Sequence, residues 1–486
     1  MIRMSTPAPH PGRWAALFVI ALAQLMVVLD ATIVNIALPQ AQAHLGISDA
    51  DRQWVVTAYT LAFGGLLLLG GRIADFWGRK RTFVVGALGF ALASGLGGLA
   101  QDALTLFAAR GLQGVFGALL APAGLALLTV LFTEPGERAK AFSVFGAVAG
   151  GGSAVGLVLG GVLTEYADWR WCLLVNIPIS VVAVALALVF VPESRADGDT
   201  RYDVPGAVTV TLGLVALVYG FTRASEDGWS APWALGSFGA AVVLLVAFVV
   251  IEQRSSHPLV PLALLVQRDR GGAYLFSTLV GAGLLGAFLF LTFYFQIVLG
   301  YTPLQAGLAS LPVTGGVLVA AGVASQLMPR IGPKPLMVTG GLVAAAGMIL
   351  LTLITPDSSF LTLLLPAQLV LGLGLGLSFV PLASLALVGV GNQDAGAASA
   401  VLNATQQVGA SLGTALLNTI ATTAAASRLA EHPITDPSQT AEVAVYSYVV
   451  AFAWAAALLL IGTALIMVLV RAGRREVATP QVAHLG

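Results

Sequence analysis

Gly71-Arg72-Ile73-Ala74-Asp75-Phe76-Trp77-Gly78-Arg79-Lys80-Arg81 is a short polar island between two apolar runs, at about 51–71 and 82–101. Each run holds about 20 residues, enough at about 1.5 Å per helical residue to cross a hydrocarbon core of about 30 Å. The island therefore reads as a loop between two membrane spans, and its basic end marks a cytoplasmic face. Gly71 and Gly78 permit a tight turn and close helix approach, and Asp75 is placed to hydrogen-bond basic or helix-end groups of a neighbouring span. A merely topogenic loop explains the arginines but not the Gly-x-x-x-Asp-x-x-Gly frame.

The same alternation of apolar run and polar break fills the chain. Of its 486 residues 58% are hydrophobic and 9% charged, with mean hydropathy +0.91, against roughly 25% charged in soluble domains. Spans are expected near 14–36, 51–71, 82–101, 104–131, 141–163, 170–191, 204–222, 232–252, 272–298, 304–327, 334–354, 360–387, 396–424 and 445–470. The first is longer than a signal-peptide core and lacks a convincing cleavage site, so it is expected to be retained. Two short echoes suggest a repeat: Gly78-Arg79-Lys80 against Gly332-Pro333-Lys334, and Arg110-Gly111-Leu112-Gln113-Gly114 against Gln368-Leu369-Val370-Leu371-Gly372. The expected fold is thus an all-α membrane protein of two six-helix bundles, 1–195 and 271–486, with two additional helices in 196–270. Parallel repeats of this kind place a substrate site between the halves, near the midplane.

Eighteen of the 23 Lys and Arg residues fall on the side of the termini, among them Arg3, Arg13, Arg138, Lys140, Arg268, Arg270, Arg330, Lys334, Arg471, Arg474 and Arg475. Only Arg52, Arg170, Arg223 and Arg428 fall opposite. The bias predicts cytoplasmic termini and supports an even span count. Seven of eight tryptophans lie near expected span ends, Trp454 being the exception, as an interfacial belt requires.

Charge inside a bilayer costs at least about 2.5–3.5 kcal/mol on insertion scales, so each retained charge needs a reason. Asp30 and Arg110 are the two deep ones. Each is expected about six residues from the outer end of its span, and this depth match makes them a candidate pair. A static ion pair would fix helix packing. A titratable carboxylate would instead load and release a proton as access alternates. An inward proton across about 100 mV supplies about 2.3 kcal/mol, roughly a fifty-fold solute gradient at about 1.4 kcal/mol per decade.

The loop frame resembles the cytoplasmic-loop signature of the major facilitator superfamily, and Arg110-x-x-Gln113-Gly114 with Gly117-Ala118 is similar to its fourth-span signature. Leu29-Asp30-Ala31-Thr32-Ile33-Val34-Asn35-Ile36-Ala37-Leu38-Pro39, Trp169-Arg170-Trp171, Asn176-Ile177-Pro178 and Pro192-Glu193-Ser194 resemble the fourteen-span drug:proton antiporters, the EmrB/QacA-like group. The resemblance implies alternating access, a cavity lined by the first, fourth, ninth and twelfth spans, and an inward gate latch containing Asp75, Arg79 and Lys80. It also implies proton coupling at Arg110. One departure concerns the fifth span: the Gly-Pro-x-x-Gly-Gly of the antiporter signature is Gly156-Leu157-Val158-Leu159-Gly160-Gly161 here. Leu157 removes a kink point and weakens the inference from this motif to export direction. The row Gly152, Gly156, Gly160 should still permit close packing.

Asn403, Gln407, Ser411, Thr414 and Asn418 recur every three or four residues and form a polar stripe, at the half-to-half interface or along the cavity. Asn35, Gln113, Gly114, Tyr294, Gln296, Gln368, Asn403 and Gln407 are the candidate cavity residues. Gln368 stands where the repeat would place an arginine, so proton coupling is expected in the N-terminal half.

No Gly-x-x-x-x-Gly-Lys loop, His-Glu-x-x-His pair or plausible Ser-His-Asp set occurs, and His10, His44, His257, His432 and His484 fall in tails or loops. Neither an enzyme nor an ATP-driven pump is expected; no cofactor or metal is implied, the drive being the proton gradient. A zero net charge argues against nucleic acid, and the lone Cys172 excludes an internal disulfide. The expected partners are protons, the bilayer and a lipophilic small molecule. The expected location is a bacterial cytoplasmic membrane, and one chain supplies both halves of a pathway, compatible with a monomer. The leading expectation is a proton-coupled exporter. The alternatives are an importer or uniporter of a polar metabolite, and a non-transporting scaffold or sensor.

Overall fold

The computed structural model describes residues 12–195, 203–255, 258, 267–388, 390, 395–431, 436 and 438–471. The expected domain boundary at 195/196 falls at the edge of these residues, and Arg3, Arg474, Arg475, His10, His257, His432 and His484 lie outside them.

The described secondary structure is helical throughout. The spans are α1 (Arg13–Leu45), α2 (Trp54–Trp77), α3 (Arg79–Gly98), α4 (Ala103–Leu131), α5 (Pro135–Tyr166), α6 (Trp171–Phe190) and α7 (Val204–Asp227). They continue as α8 (Pro232–Arg254), α9 (Arg268–Val298), α10 (Pro303–Ile331), α11 (Pro333–Leu351), α12 (Phe360–Ala386), α13 (Ala395–Glu431) and α14 (Ser438–Leu469). Thirteen are long and apolar enough to cross a membrane; α13 has 37 residues, more than the length required, and carries the polar stripe that dilutes its hydropathy.

The helix ends follow local chemistry. Asp102 caps α4 by accepting from the Thr105 backbone N–H at 2.8 Å and its hydroxyl at 2.7 Å, and these bonds hold its carboxyl below the usual carboxylate value. Thr302 and Gln305 form a capping box at α10. The first span departs from expectation: α1 runs on to Leu45, past the expected end near 36, so Asp30 lies near the middle of its helix and not six residues from its end. The helix continues because Pro39 stands inside it without ending it, and Gly46 in the left-handed region then closes it.

In the first six helices α4 packs on α2 and α3, α1 on α5 and α6, and α3 on α6. The last six repeat this arrangement, with α12 on α10 and α11, α9 on α13 and α14, and α11 on α14. Both sequence echoes are realised in the backbone. Gly78 (φ 124°) and Gly332 (φ 84°) make the equivalent tight turns between α2 and α3 and between α10 and α11. Gly114 lets α4 meet the Tyr59 carbonyl on α2, and Gly372 lets α12 meet the Val313 carbonyl on α10. The hairpin α7–α8 lies outside the bundles, with α7 against both α2 and α13 and α8 exposing Val242, Val243 and Val246.

Candidate functional site

Three helices of the first bundle meet at Asp30. Because Gly114 carries no side chain, α4 approaches α2 closely enough for Arg110 Nε to donate to the Val55 carbonyl at 2.8 Å. That bond aims the guanidinium at α1, where Nη1 donates to Asp30 Oδ2 at 2.6 Å and to Gln113 Oε1 at 2.8 Å. Gln113 Nε2 donates to Asp30 Oδ1 at 2.8 Å and to Ser94 Oγ on α3 at 2.7 Å. Asn176 Nδ2, just beyond a break in α6 at Val175, donates to the same Oδ1 at 2.8 Å. Tyr59 stacks its ring 4.6 Å from the Arg110 carbon that bears the charge. Asp30, Gln113 and Asn176 are 0% exposed and Arg110 1%, so the pair is sealed from both sides of the bundle. Two carboxylate oxygens receiving three N–H donors are arranged as an ionised acid requires.

One turn along each helix, away from the termini, Val34, Val55, Leu106, Cys172 and Leu173 line a small apolar gap of about 10 Å³, no roomier than a single water. It insulates the pair on that side. Behind Asp30, Gly152 meets Val28 and Leu25, Gly156 meets Thr32, and Gly160 meets Ile33, so the glycine row seats α5 on α1. Leu157 leaves α5 an unbroken helix, and its carbonyl faces Gly307 of the other half.

The side-chain bonds between the halves gather at the end opposite the termini, here the distal end. Arg52 Nε donates to Asn418 Oδ1 at 3.0 Å, and its guanidinium lies 4.4 Å from the Phe293 ring centre. Asn418 Nδ2 donates to the Asp49 carbonyl at 2.8 Å. Thr60 and Ser411 share a 2.6 Å hydroxyl bond. Gln296 Nε2 donates to the Ile36 carbonyl at 2.8 Å, and Glu165 Oε2 accepts from Leu304 N at 3.1 Å. The polar stripe of α13 therefore faces α2: Gln407 lies against Gly64, with Ser411 and Asn418 bonded as described.

The stretch 71–81, expected to be a loop, is instead the end of α2, the one-residue turn at Gly78 and the start of α3, and it ties both helices to the end of α6. Asp75 Oδ1 accepts from Arg79 Nη2 at 2.8 Å, Arg79 N donates to the Ser194 carbonyl at 2.9 Å, and Lys80 Nζ donates to the Leu188 carbonyl at 2.9 Å. Gly71 has Pro122 as its nearest neighbour. At Gly78 the backbone is left-handed and a Cβ would stand 2.7 Å from Glu193 Oε1. Gly78→Ala is therefore expected to lower stability by about 1–3 kcal/mol, read as a fall in the unfolding temperature in detergent; an unchanged temperature would refute the strain.

The remaining candidates are dispersed. Tyr294 is fully buried in the second bundle and donates to the Thr355 carbonyl at 2.7 Å. Gln368 is 0% exposed with neither amide atom partnered. Asn35 and Asn403 donate to carbonyls one turn back in their own helices, those of Ala31 and Ser399. Sequence reading missed Ser94, Tyr59, the Val55 carbonyl and the role of Asn176. The signal for Asn176 was an amide at the depth of Asp30 inside an apolar run.

A buried acid and base inside one of two repeated helical bundles, closed against each other at one end, define a polytopic membrane transporter for small molecules. The model of the Major Facilitator Superfamily matches residues 20–414, and the chain belongs to that family. It is 53% identical over 466 residues to a puromycin resistance protein, pur8, of Streptomyces alboniger, covering 95% of this chain and 92% of the relative. A cephamycin export protein, CmcT, of Amycolatopsis lactamdurans is 40% identical, with 86% and 87% covered. A probable actinorhodin transporter of Streptomyces coelicolor is 41% identical, with 85% and 73% covered. A bacterial homologue of the human lysosomal transporter Spinster, solved inward-facing and unoccupied, shares the fold with TM-score 0.66 at 15% identity, covering 96% and 98%.

Proposed function

We propose that this chain is a proton-coupled exporter of small lipophilic molecules of the antibiotic class, an antiporter of the fourteen-span group working by alternating access in a bacterial cytoplasmic membrane. Both termini are cytoplasmic in this reading, which makes the distal end the outer one and the conformation outward-closed. The observation that carries it is the buried Asp30–Arg110 pair at 2.6 Å. It is a carboxylate enclosed with a permanent cation, where only a proton and a change of access need enter. Relatives named for puromycin resistance, cephamycin export and actinorhodin transport support an outward-moving cargo of that class. The junction of α2 and α3, with Asp75, Arg79 and Lys80, holds the cytoplasmic ends of α2, α3 and α6 as one body while the halves rock.

Asp30→Asn keeps the volume but replaces one accepting oxygen with an amide N–H and carries no titratable proton. In everted vesicles the variant is expected to insert normally and to lose pH-gradient-driven uptake of a fluorescent cationic dye. Uphill uptake at the wild-type rate would remove Asp30 from the coupling.

A further inference from the structure

We infer that Asn176 is the reversible member of the Asp30 site: its side-chain amide donates to the carboxylate and, after a half-turn about its terminal bond, accepts from the protonated acid. This rests on Asp30 being the proton carrier. When a proton adds to Asp30 the new O–H needs an acceptor, and around this acid acceptors are scarce. Arg110 has none. The Val55 carbonyl is taken by Arg110 Nε. Gln113 is pinned at both ends, its Oε1 by Arg110 and its Nε2 by Ser94, so turning it would set an amide N–H against the guanidinium.

Asn176 is different. Its Nδ2 holds Asp30 Oδ1, while its Oδ1 is buried without a partner. The terminal torsion of asparagine is broad and roughly two-fold, so a half-turn exchanges the two ends within the same space. The proton then sits on Asp30 Oδ1 and is donated to Asn176 Oδ1, while Asp30 Oδ2 keeps its bond from Arg110. No other bond of the site breaks. The charged or titratable groups facing Asp30 are Arg110 on α4, the Tyr59 phenol on α2 and, one turn further out, the Cys172 thiol on α6; α3 presents Ser94 and α5 its glycine row. Ser94 Oγ is held by Gln113 Nε2, and among the side chains bonded to Asp30 only Asn176 carries an acceptor that is buried without a partner.

The test is infrared difference spectroscopy between neutral and acid pH on the full chain in lipid nanodiscs, with asparagine side-chain carbonyls carbon-13 labelled. The chain has five asparagines, and the band lost in Asn176→Leu, or in Asn176→Ser should the leucine variant not fold, identifies the one in question. Acidification is expected to produce a carboxylic-acid band that is absent in Asp30→Asn. With the same midpoint, the Asn176 carbonyl band should move to lower frequency as it gains a hydrogen bond. Asn176→Leu should also lose about tenfold in proton-driven uptake, the scale of one buried hydrogen-bonding group left unsatisfied, and Asn176→Ser, whose hydroxyl both donates and accepts, should retain it. An acid band without movement of the Asn176 band makes Asn176 a fixed donor and overturns the inference while the proton site stands. Absence of any Asp30 acid band overturns both.

Discussion

Arg110→Met is expected to cost the protein about 3–5 kcal/mol at neutral pH, the scale of removing one partner from a buried ion pair, and to abolish proton-driven transport. The size follows from what remains. Asp30 is 0% exposed, and without the guanidinium its Oδ2 loses the 2.6 Å donor that faces it, while the Val55 carbonyl and Gln113 Oε1 lose theirs. Thermal unfolding in mild detergent measures the loss. The double variant Asp30→Asn/Arg110→Met removes the orphaned charge as well, so it should recover most of the stability and none of the coupling. A single variant as stable as the wild type would show that the pair does not hold the bundle together; a double variant that still concentrates dye would show that it does not drive transport.

The second large effect is expected at Arg52, which reaches from the start of α2 into the opposite half. It is 5% exposed, bonded to Asn418 and stacked on Phe293, with the Phe290 ring centre 5.7 Å away. A desolvated cation over an aromatic face contributes about 2 kcal/mol, and separation of the halves at the distal end must withdraw it. Arg52→Met should therefore shift the balance toward the form open at the distal end by about 30-fold, at about 1.4 kcal/mol per decade. Spin labels on the exposed Ala43 and Ser359 would report it as a longer distance across the distal end. An unchanged distance distribution would reduce Arg52 to a packing residue.

Membrane spans and the acid–base pair were legible for one reason: lipid penalises charge so heavily that Asp30 and Arg110 stand out in any apolar run. The pairing came out although the end of α1 did not, since the apolar run gives way near 36 while the helix continues through Pro39 to Leu45. Neutral polar residues are less visible. Asn176 beside Pro178 reads as a helix start, and Ser94 in a glycine-rich helix is inconspicuous until α3 and α4 are packed together. Arg52 sorted correctly as one of the few cations opposite the termini, but nothing local shows that Phe293, more than 200 positions later, forms its seat. The glycine row of α5 was readable as a packing surface, whereas its partner, the back of Asp30, is a matter of tertiary arrangement.

The hairpin helix α7 lies across the joint between α2 and α13. Thr222 accepts from Gln53 Nε2 at 2.8 Å, Thr419 donates to the Phe221 carbonyl at 2.8 Å, and Ser225 bonds to Thr422. Each of the three threonine hydroxyls also lies within bonding reach of a carbonyl in its own helix: Val218 for Thr222, Ala415 for Thr419 and Asn418 for Thr422. A hydroxyl that lets go of its neighbour thus falls back on its own backbone, and its hydrogen is never stranded in hydrocarbon. The strap across the joint is consequently a sliding bearing at its threonine hydroxyls, while Gln53, whose buried amide would be left without its acceptor, is the one tie that resists the slide.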